Sequence, residues 1–114
     1  MKSLNKVLLI GYTATDPEIK TLGKGLKVAK FSIATNRFDE KKKQITDFHR
    51  ITAFRHMADL VESYIKKGKG LYIEGSIQNN TWDDKEGNKH YQTEVIADEI
   101  NMLTYDKPSL ENVK

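Results

Sequence analysis

Apolar and polar side chains alternate along several short stretches of this chain, and these stretches are rich in β-branched and aromatic residues. Successive side chains of a β-strand point to opposite faces, so this alternation is typical of strands with one buried face. The pattern predicts five strands: Leu4 to Gly11, Leu26 to Asn36, Ile45 to Phe54, Leu71 to Asn79 and Tyr91 to Asp98. The protein is therefore expected to be mainly all-β.

A helical spacing replaces the alternation between the third and fourth predicted strands. Apolar residues recur there at intervals of three and four: Met57, Leu60, Val61, Tyr64 and Ile65. This spacing places them on one helix face, and the Lys-Lys-Gly sequence of residues 66–68 is a typical helix end. Three strands, one helix and two strands is the element order of the OB-fold, a five-stranded Greek-key barrel. In that fold the second and third strands usually form the face that binds oligonucleotides.

The composition fits one globular domain with a single core, since 38% of the 114 residues are hydrophobic and 31% are charged. We expect the domain to span residues 1–104, followed by a short polar tail, residues 105–114, that is disordered. Cysteine is absent, which excludes disulfides and thiol chemistry and fits a cytoplasmic protein. The apolar run from Val7 to Ile10 is too short for a signal peptide or a membrane span.

Charge is distributed unevenly along the chain. Residues 1–70 hold 15 Lys and Arg against 7 Asp and Glu, whereas residues 71–114 hold 4 against 9. A basic surface suits a polyanionic partner, but ordinary solvated lysines would produce the same count. Charge alone therefore leaves the partner open.

The third predicted strand carries the most informative pattern. Alternation divides it into two faces, with Phe48, Arg50, Thr52 and Phe54 on one and His49, Ile51 and Ala53 on the other. The aliphatic side chains of Ile51 and Ala53 fit the barrel interior, so the two phenyl rings and the guanidinium are expected to point outward. Solvent is a poor environment for two Phe rings, which leaves a ligand or another subunit as the predicted neighbour.

Two further aromatic side chains lie near predicted loops. Phe38 follows Arg37 at the start of a charged connector, Asp39 to Gln44, and Trp82 precedes a hairpin turn at residues 83–88. Rings interleaved with Arg and Lys suit a single-stranded nucleic acid, because unpaired bases offer π-faces and each linkage offers a phosphate. The alternative is that these rings pack on another subunit or fill the ends of the barrel.

Several segments resemble the bacterial single-stranded DNA-binding protein family, in the family's order and at compatible spacing across residues 4–103. They are Asn5–Gly11, Asp16–Glu18, Phe31–Asn36, Phe48–Phe54, Tyr64–Gly68, Tyr72–Gly75, Trp82 and Tyr91–Asp98. The resemblance implies sequence-independent binding and protection of single-stranded DNA in replication, recombination and repair. It also implies a cytoplasmic, nucleoid-associated protein.

The resemblance assigns roles to individual residues. The family's four stacking positions fall on Phe38, Phe48, Phe54 and Trp82. Its basic positions fall on Lys6, Lys20, Arg50 and Lys67, with Arg37 beside the first ring. Family members are typically homotetramers, with a homodimer as the alternative, and the resemblance places His49, Tyr72 and Glu74 in or near subunit interfaces.

Three departures from the family pattern change these expectations. Gln78, Asn80 and Thr81 stand where basic residues are common, and His56 stands where Lys is frequent, so we expect fewer phosphate contacts. Each lost contact flattens the dependence of log affinity on log salt by about 0.7. The chain ends at Lys114 without the family's acidic segment and terminal Pro-Phe, so we expect no recruitment of replication and repair proteins by that route.

No catalytic or metal-binding arrangement is evident. The three histidines have no metal-ligand spacing, and the adjacent carboxylates at 83–84 and 98–99 do not form an acid–base pair, so we expect no cofactor, no metal and no enzymatic activity. The closer alternative is another OB-fold role: a replication-restart accessory protein or an RNA-binding module that acts mainly through protein contacts.

Overall fold

Six strands and one helix make up the computed structural model, which describes residues 3–106 and, within them, side chains up to residue 103. The elements are β1 (Val7–Thr13), β2 (Glu18–Leu22), β3 (Leu26–Phe38), β4 (Gln44–Phe54), α1 (His56–Tyr64), β5 (Lys69–Asp83) and β6 (Lys89–Asp106), with a short 3₁₀ turn at Gly23–Gly25. The first two residues of the predicted tail, 105–106, belong to β6, and the rest of it, residues 107–114, lies outside the described residues.

Five of the strands close into a barrel. They follow the order β1-β5-β6-β4-β3, and β1 also pairs with β3, which joins the two ends of the sheet. All neighbours are antiparallel except β4 and β6, which run parallel. Helix α1 lies between the third and fourth barrel strands in chain order, so the predicted OB-fold is confirmed.

The short strand β2 was not expected from the alternation. It pairs only with β3, in a hairpin whose register runs from Glu18 opposite Lys30 to Leu22 opposite Leu26. Its five residues include only two apolar side chains, which gave too little alternation to distinguish a strand from the approach to a turn. The strand extends the outer surface of β3 by one row of side chains.

The barrel interior follows the predicted strand faces, while the helix face differs by one residue. The largest fully buried side chains include Ile33, Ile51, Leu71 and Ile73. From the helix, Ala58 and Val61 are fully buried, whereas Tyr64 is 60% exposed, so its prediction as part of the buried stripe is wrong. At 100° per residue, Ala58 and Val61 define the centre of the packed face, and Tyr64 at the last position of α1 lies off its edge.

Two glycines allow the barrel strands to cross closely. A Cβ atom on Gly11 would collide with the carbonyl oxygen of Ala34, and one on Gly75 would collide with the carbonyl oxygen of Ile96. Gly75 also follows a shift in the β5–β6 register after Glu74. The first half of the long strand β5 can therefore form part of the closed barrel, while its second half extends into the hairpin with β6.

The β3–β4 hairpin and the β5–β6 hairpin, which we call the two arms, each end in a tight turn, and the two turns are built in the same way. The Oδ1 atom of Asp39 accepts the N–H groups of Lys41 and Lys43 at 2.9 and 2.8 Å. The Oδ1 atom of Asp84 accepts the N–H groups of Glu86 and Asn88 at the same two distances. The charged connector predicted at Asp39 to Gln44 is therefore a compact turn, because β3 and β4 continue pairing up to it.

The single helix of the described residues, α1, has nine residues, and no helix there is long and apolar enough to cross a membrane.

Candidate nucleic-acid interface

Strand register places the predicted rings of β4 on the outer face of the β3–β4 hairpin. Ala34 lies opposite Phe48, Ser32 opposite Arg50, and Val28 opposite Phe54. Residues directly opposite each other in antiparallel strands project to the same side of the sheet. Phe38 shares this side, because it alternates in step with Ala34 along β3.

The β5–β6 hairpin continues the same surface. Thr52 lies beside Ile96 in the parallel β4–β6 pairing, so Arg50 and Glu94, two residues earlier on each strand, share that side. Gln78 lies opposite Glu94, and Trp82 lies opposite His90 further along the same hairpin. All four predicted stacking positions therefore belong to one outer surface, which we call the aromatic face: Phe38, Phe48, Phe54 and Trp82.

Three of these rings are widely accessible. Phe38 is 69% exposed, Phe48 is 66% exposed and Trp82 is 48% exposed, while Phe54 is half-buried at the end of β4. Side chains this exposed do not fill the ends of the barrel, which removes that alternative for Phe38 and Phe48. A ligand or another subunit remains as the neighbour that would cover them.

Three cavities border the aromatic face. One, of about 370 Å³, lies between the segment after β1 and strand β6, and its lining includes Lys30, Arg50, Thr52 and Glu94. A second, of about 290 Å³, is lined in part by Phe48 and Lys67. A third, of about 400 Å³, is lined in part by Phe48, Arg50 and Glu94, with His49 beside them. These volumes are near the lower end of the range of small-molecule pockets. The surface thus combines protruding rings with recesses that carry cationic side chains.

Thr52 and Glu94 are buried although they lie on the outer side of the sheet. Thr52 is 2% exposed and Glu94 is 8% exposed, and the Oγ1 atom of Thr52 donates to Oε2 of Glu94 at 3.1 Å. The prediction of an outward Thr52 is correct for its face and wrong for its exposure, because the segment that leads into β2 and strand β6 enclose the recess it lines. Sequence reasoning did not single out Glu94, since an isolated Glu in an outward strand position carries no distinctive signal.

Most of the predicted basic residues lie around the aromatic face. Arg50 is exposed on it, and Lys20 shares its side through the register of Lys20 with Val28. Lys67 borders the cavity of about 290 Å³. Its backbone N–H donates to Oδ1 of Asp16 at 2.9 Å, and this hydrogen bond holds the segment after α1 against the segment after β1. Lys30 is an exposed cation of the same face that was not among the predicted basic residues.

Two predicted basic residues lie elsewhere. Arg37 alternates with Phe38 and so projects from the opposite side of the arm, where its Nε atom lies 2.7 Å from Oδ2 of Asp47. Lys6 precedes β1, and its charge helps to lower the pKa of Glu74. The structure does not bring these two cations together with the four rings, and their part in binding stays a prediction.

The residues predicted near subunit interfaces are not among the rings and cations of the aromatic face. His49, on the other side of β4, is half-buried, and its Nε2 atom lies 2.8 Å from Oγ1 of Thr35. The Tyr72 hydroxyl donates to Oε1 of Glu74 at 2.6 Å, and this hydrogen bond raises the pKa of the phenol and lowers the pKa of the carboxyl group.

A second exposed apolar surface surrounds that tyrosine–glutamate pair. Leu8 lies opposite Glu74 and Ile10 opposite Tyr72 in the β1–β5 register, and these two aliphatic side chains are 57% and 59% exposed. We call this surface the β1–β5 face. Adjacent exposed aliphatic side chains on a flat sheet are typical of a surface that another protein chain covers.

No metal centre is formed by the described part of the chain. Within residues 3–106, no three His, Asp or Glu side chains are grouped closely enough to hold a metal ion. The chemistry available on the aromatic face is therefore stacking, hydrogen bonding and charge.

Comparison with known proteins identifies the family. A model described as the Single-strand binding protein family matches residues 4–103, which is nearly the whole chain. The chain belongs to this family. The resemblance read from the sequence segments is confirmed, and it covers the barrel, both hairpin arms and all four rings of the aromatic face.

Individual members of the single-strand binding protein family match over most of their length. A single-stranded DNA-binding protein of Rickettsia typhi is 43% identical, over 96% of this chain and 78% of its own. Single-stranded DNA-binding protein 1 of Xylella fastidiosa is 39% identical, over 90% of this chain and 79% of its own. The relatives' names do not favour the accessory or RNA-binding alternative, and they agree with the expectation that the protein is not an enzyme.

A solved structure of the family shares the fold. The SSB of Plasmodium falciparum, determined in complex with single-stranded DNA, superposes with a TM-score of 0.84 and is 37% identical. The match covers 90% of this chain and 97% of the other.

Proposed function

We propose that this protein binds single-stranded DNA without reading its sequence, by stacking bases on the aromatic face and holding phosphates with the cations around it. The observation that carries the proposal is the strand register, which gathers Phe38, Phe48, Phe54 and Trp82 on one outer surface. Stacking contributes about 1–3 kcal/mol per base, and every base offers a π-face. Family membership and the DNA-bound relative support the same conclusion.

The cations divide into those that border the aromatic face and those that do not. Arg50, Lys20 and Lys67 border it and are proposed to hold the backbone between stacked bases. Lys6 and Arg37 are proposed as further contacts that a longer strand reaches as it leaves the face. Both sets of cations would neutralise phosphates, and neither would distinguish one base from another.

Duplex DNA should bind more weakly than a single strand. In a duplex the base faces are already stacked on one another, so exposed rings have nothing to stack on until pairs are opened. Only the phosphates remain available to Arg50 and the lysines. The proposal therefore predicts selectivity that comes from the rings and not from charge.

A titration of Trp82 emission tests the proposal, because this is the only Trp in the chain. We expect oligo-dT to quench the emission, with a much smaller response to duplex DNA of equal length. A single-stranded RNA of matched length in the same series measures the preference between the two sugars. Equal affinity for single-stranded and duplex DNA would contradict the proposal.

We further propose that the protein assembles as a homotetramer, with a homodimer as the alternative. The exposed Leu8 and Ile10 around Tyr72 and Glu74 support this. Light scattering on the free protein should give the mass of an oligomer, and Ile10→Asp should reduce it. A monomer in wild type would contradict the assembly and leave the stacking proposal intact.

The cellular role follows from the ligand. Single-stranded DNA arises in replication, recombination and repair, and we propose that the protein coats and protects it there as a cytoplasmic, nucleoid-associated protein. Protection of oligo-dT from a single-strand nuclease, at protein concentrations that saturate binding, is the corresponding measurement. Unchanged nuclease digestion at saturation would contradict the protective role.

A further inference from the structure

Trp82 is not a free ring at the edge of the aromatic face. Its indole stacks on the imidazole of His90, with ring centroids 5.4 Å apart and planes inclined by 18°. The two residues lie directly opposite each other in the β5–β6 register. One face of the indole is thus covered, while the residue as a whole remains 48% exposed.

His90 is held in turn by the hairpin turn. Its Nε2 atom lies 2.8 Å from Oδ2 of Asp84, whose other oxygen accepts the two backbone N–H groups that close the turn. The hydrogen bond with His90 is the main reason that the pKa of the Asp84 carboxyl is lowered. A continuous series of contacts therefore runs from the turn backbone through Asp84 and His90 to the indole.

We infer that His90 is a positioning residue for Trp82: it fixes the plane of the indole and covers one face, so that a single base stacks on the other. This inference rests on the proposed function and deepens it. A ring that is already fixed loses little conformational freedom when a base binds, and the affinity gains accordingly. Trp82 is then a one-sided platform and does not insert between two bases.

Within the described structure, Asp84 is the only carboxylate bonded to His90, and Trp82 is the only ring stacked on it. The motion of the Trp82 ring in the free protein should therefore report whether His90 holds the indole.

Three variants separate positioning from other roles. His90→Ala removes the ring and the hydrogen bond, and His90→Phe keeps a ring that can stack without the hydrogen bond. Tyr91→Ala is the matched control, since Tyr91 is a 74% exposed aromatic side chain next in sequence that projects from the other side of β6. Thermal melting of each variant establishes that it is folded.

The first measurement needs no DNA. Time-resolved anisotropy of Trp82 should show greater ring motion in His90→Ala, and motion close to that of wild type in His90→Phe and Tyr91→Ala. Equal ring motion in all four proteins would overturn the inference.

The second measurement is the affinity for a dye-labelled oligo-dT, read from the dye. We expect His90→Ala to bind about two- to tenfold more weakly, the size of an aromatic pair, and His90→Phe to recover most of the loss. Tyr91→Ala should bind as wild type does. Unchanged affinity in His90→Ala would overturn the inference. So would an equal loss of affinity in His90→Ala and His90→Phe when the ring motion in His90→Phe matches wild type, which would mean that His90 contacts DNA directly.

The two measurements distinguish failure of the proposed function from failure of the positioning role. If wild type does not bind oligo-dT, the proposed function is contradicted, while the anisotropy still decides whether His90 holds the indole. If wild type binds and the anisotropy is the same in every variant, the proposed function stands and the positioning role is wrong.

Discussion

Phe48 shows why a single residue of the aromatic face is better suited to binding a ligand than to packing in the barrel. It is 66% exposed, so it contributes little to the packing of the barrel, yet it lies between Arg50 and a recess bordered by Lys67. An apolar side chain usually contributes to stability by being removed from water, and most of the Phe48 ring is still in contact with water in the free protein. The gain becomes available when a base covers the ring.

Phe48→Ala should therefore weaken single-stranded DNA binding by about 1–3 kcal/mol while leaving the melting temperature nearly unchanged. The reason is that the substitution removes a stacking surface without opening a cavity in the core. Isothermal titration with oligo-dT and a thermal melt of the free protein measure the two quantities.

Ile51→Ala provides the contrasting control for this substitution, because Ile51 is 1% exposed on the other side of the same strand. It should lower stability by about 2–5 kcal/mol. If Phe48→Ala lowered the melting temperature as Ile51→Ala does, the ring would be a packing residue and its place in the binding face would be lost.

The Asp84 side chain should make the stability of the protein depend on pH. Its pKa is lowered, mainly by the hydrogen bond with His90, so its contribution to stability is fully present above the unfolded pKa of about 3.9 and is lost as pH falls through the folded value. Asp84→Asn should melt below wild type at pH 7, and the difference should vanish toward pH 2. A difference that stayed constant with pH would contradict this assignment.

At the scale of elements, close crossings decide the shape of the barrel. Gly75 lies where β5 leaves the barrel wall for the hairpin arm, and the carbonyl of Ile96 occupies the space of a Cβ. Any larger residue must push two strand backbones apart. The bend of β5, and with it the position of the arm that carries Trp82, depends on this one missing side chain.

Gly75→Ala should destabilise the protein by about 1–3 kcal/mol, the usual cost of overpacking, which corresponds to a fall in melting temperature of roughly 4–8 °C per kcal/mol. Gly23→Ala is the matched control, since no atom lies within 4 Å of its Cβ position and its φ is not positive. The prediction fails if the two substitutions have the same effect on thermal melting.

The elements show how far the sequence could predict this structure. Alternation in β4 correctly divided its two faces, because a period of two is a local property of a strand. It did not reveal β2, which has too few apolar residues, or the burial of Glu94, which depends on strands distant in the chain. The stacking of His90 on Trp82 depends on hairpin register, which the turn sequence alone did not fix.

At the scale of the whole molecule, the cations are concentrated in one part of the chain, whereas the rings of the aromatic face are spread over both parts. The excess of cations lies in residues 1–70, whereas Trp82 and His90 belong to the more acidic remainder. The described cations around the aromatic face come from β2, β3, β4 and the segment after α1. A bound strand would therefore meet phosphate contacts mainly on one flank and stacking alone near the β5–β6 arm.

Lys67→Gln should make the plot of log affinity against log salt shallower by about 0.7, the contribution of one phosphate contact on a single strand. Lys85→Gln, in the turn of the β5–β6 arm, is the control of equal charge change, and it should leave the slope as it is. Titrations of oligo-dT over a series of salt concentrations give both slopes. Equal slopes in wild type and Lys67→Gln would remove Lys67 from the contacts.

The parallel pairing of β4 with β6 has a consequence for how the protein is made. This seam joins residues 51–52 to residues 95–96, and only through it do the two arms share a surface. During synthesis the first three rings leave the ribosome well before strand β6 exists to hold the recess beside them. A nascent chain that ends before residues 95–96 carries the stacking residues but has no assembled groove, so the protein becomes able to bind DNA only after strand β6 has been synthesised.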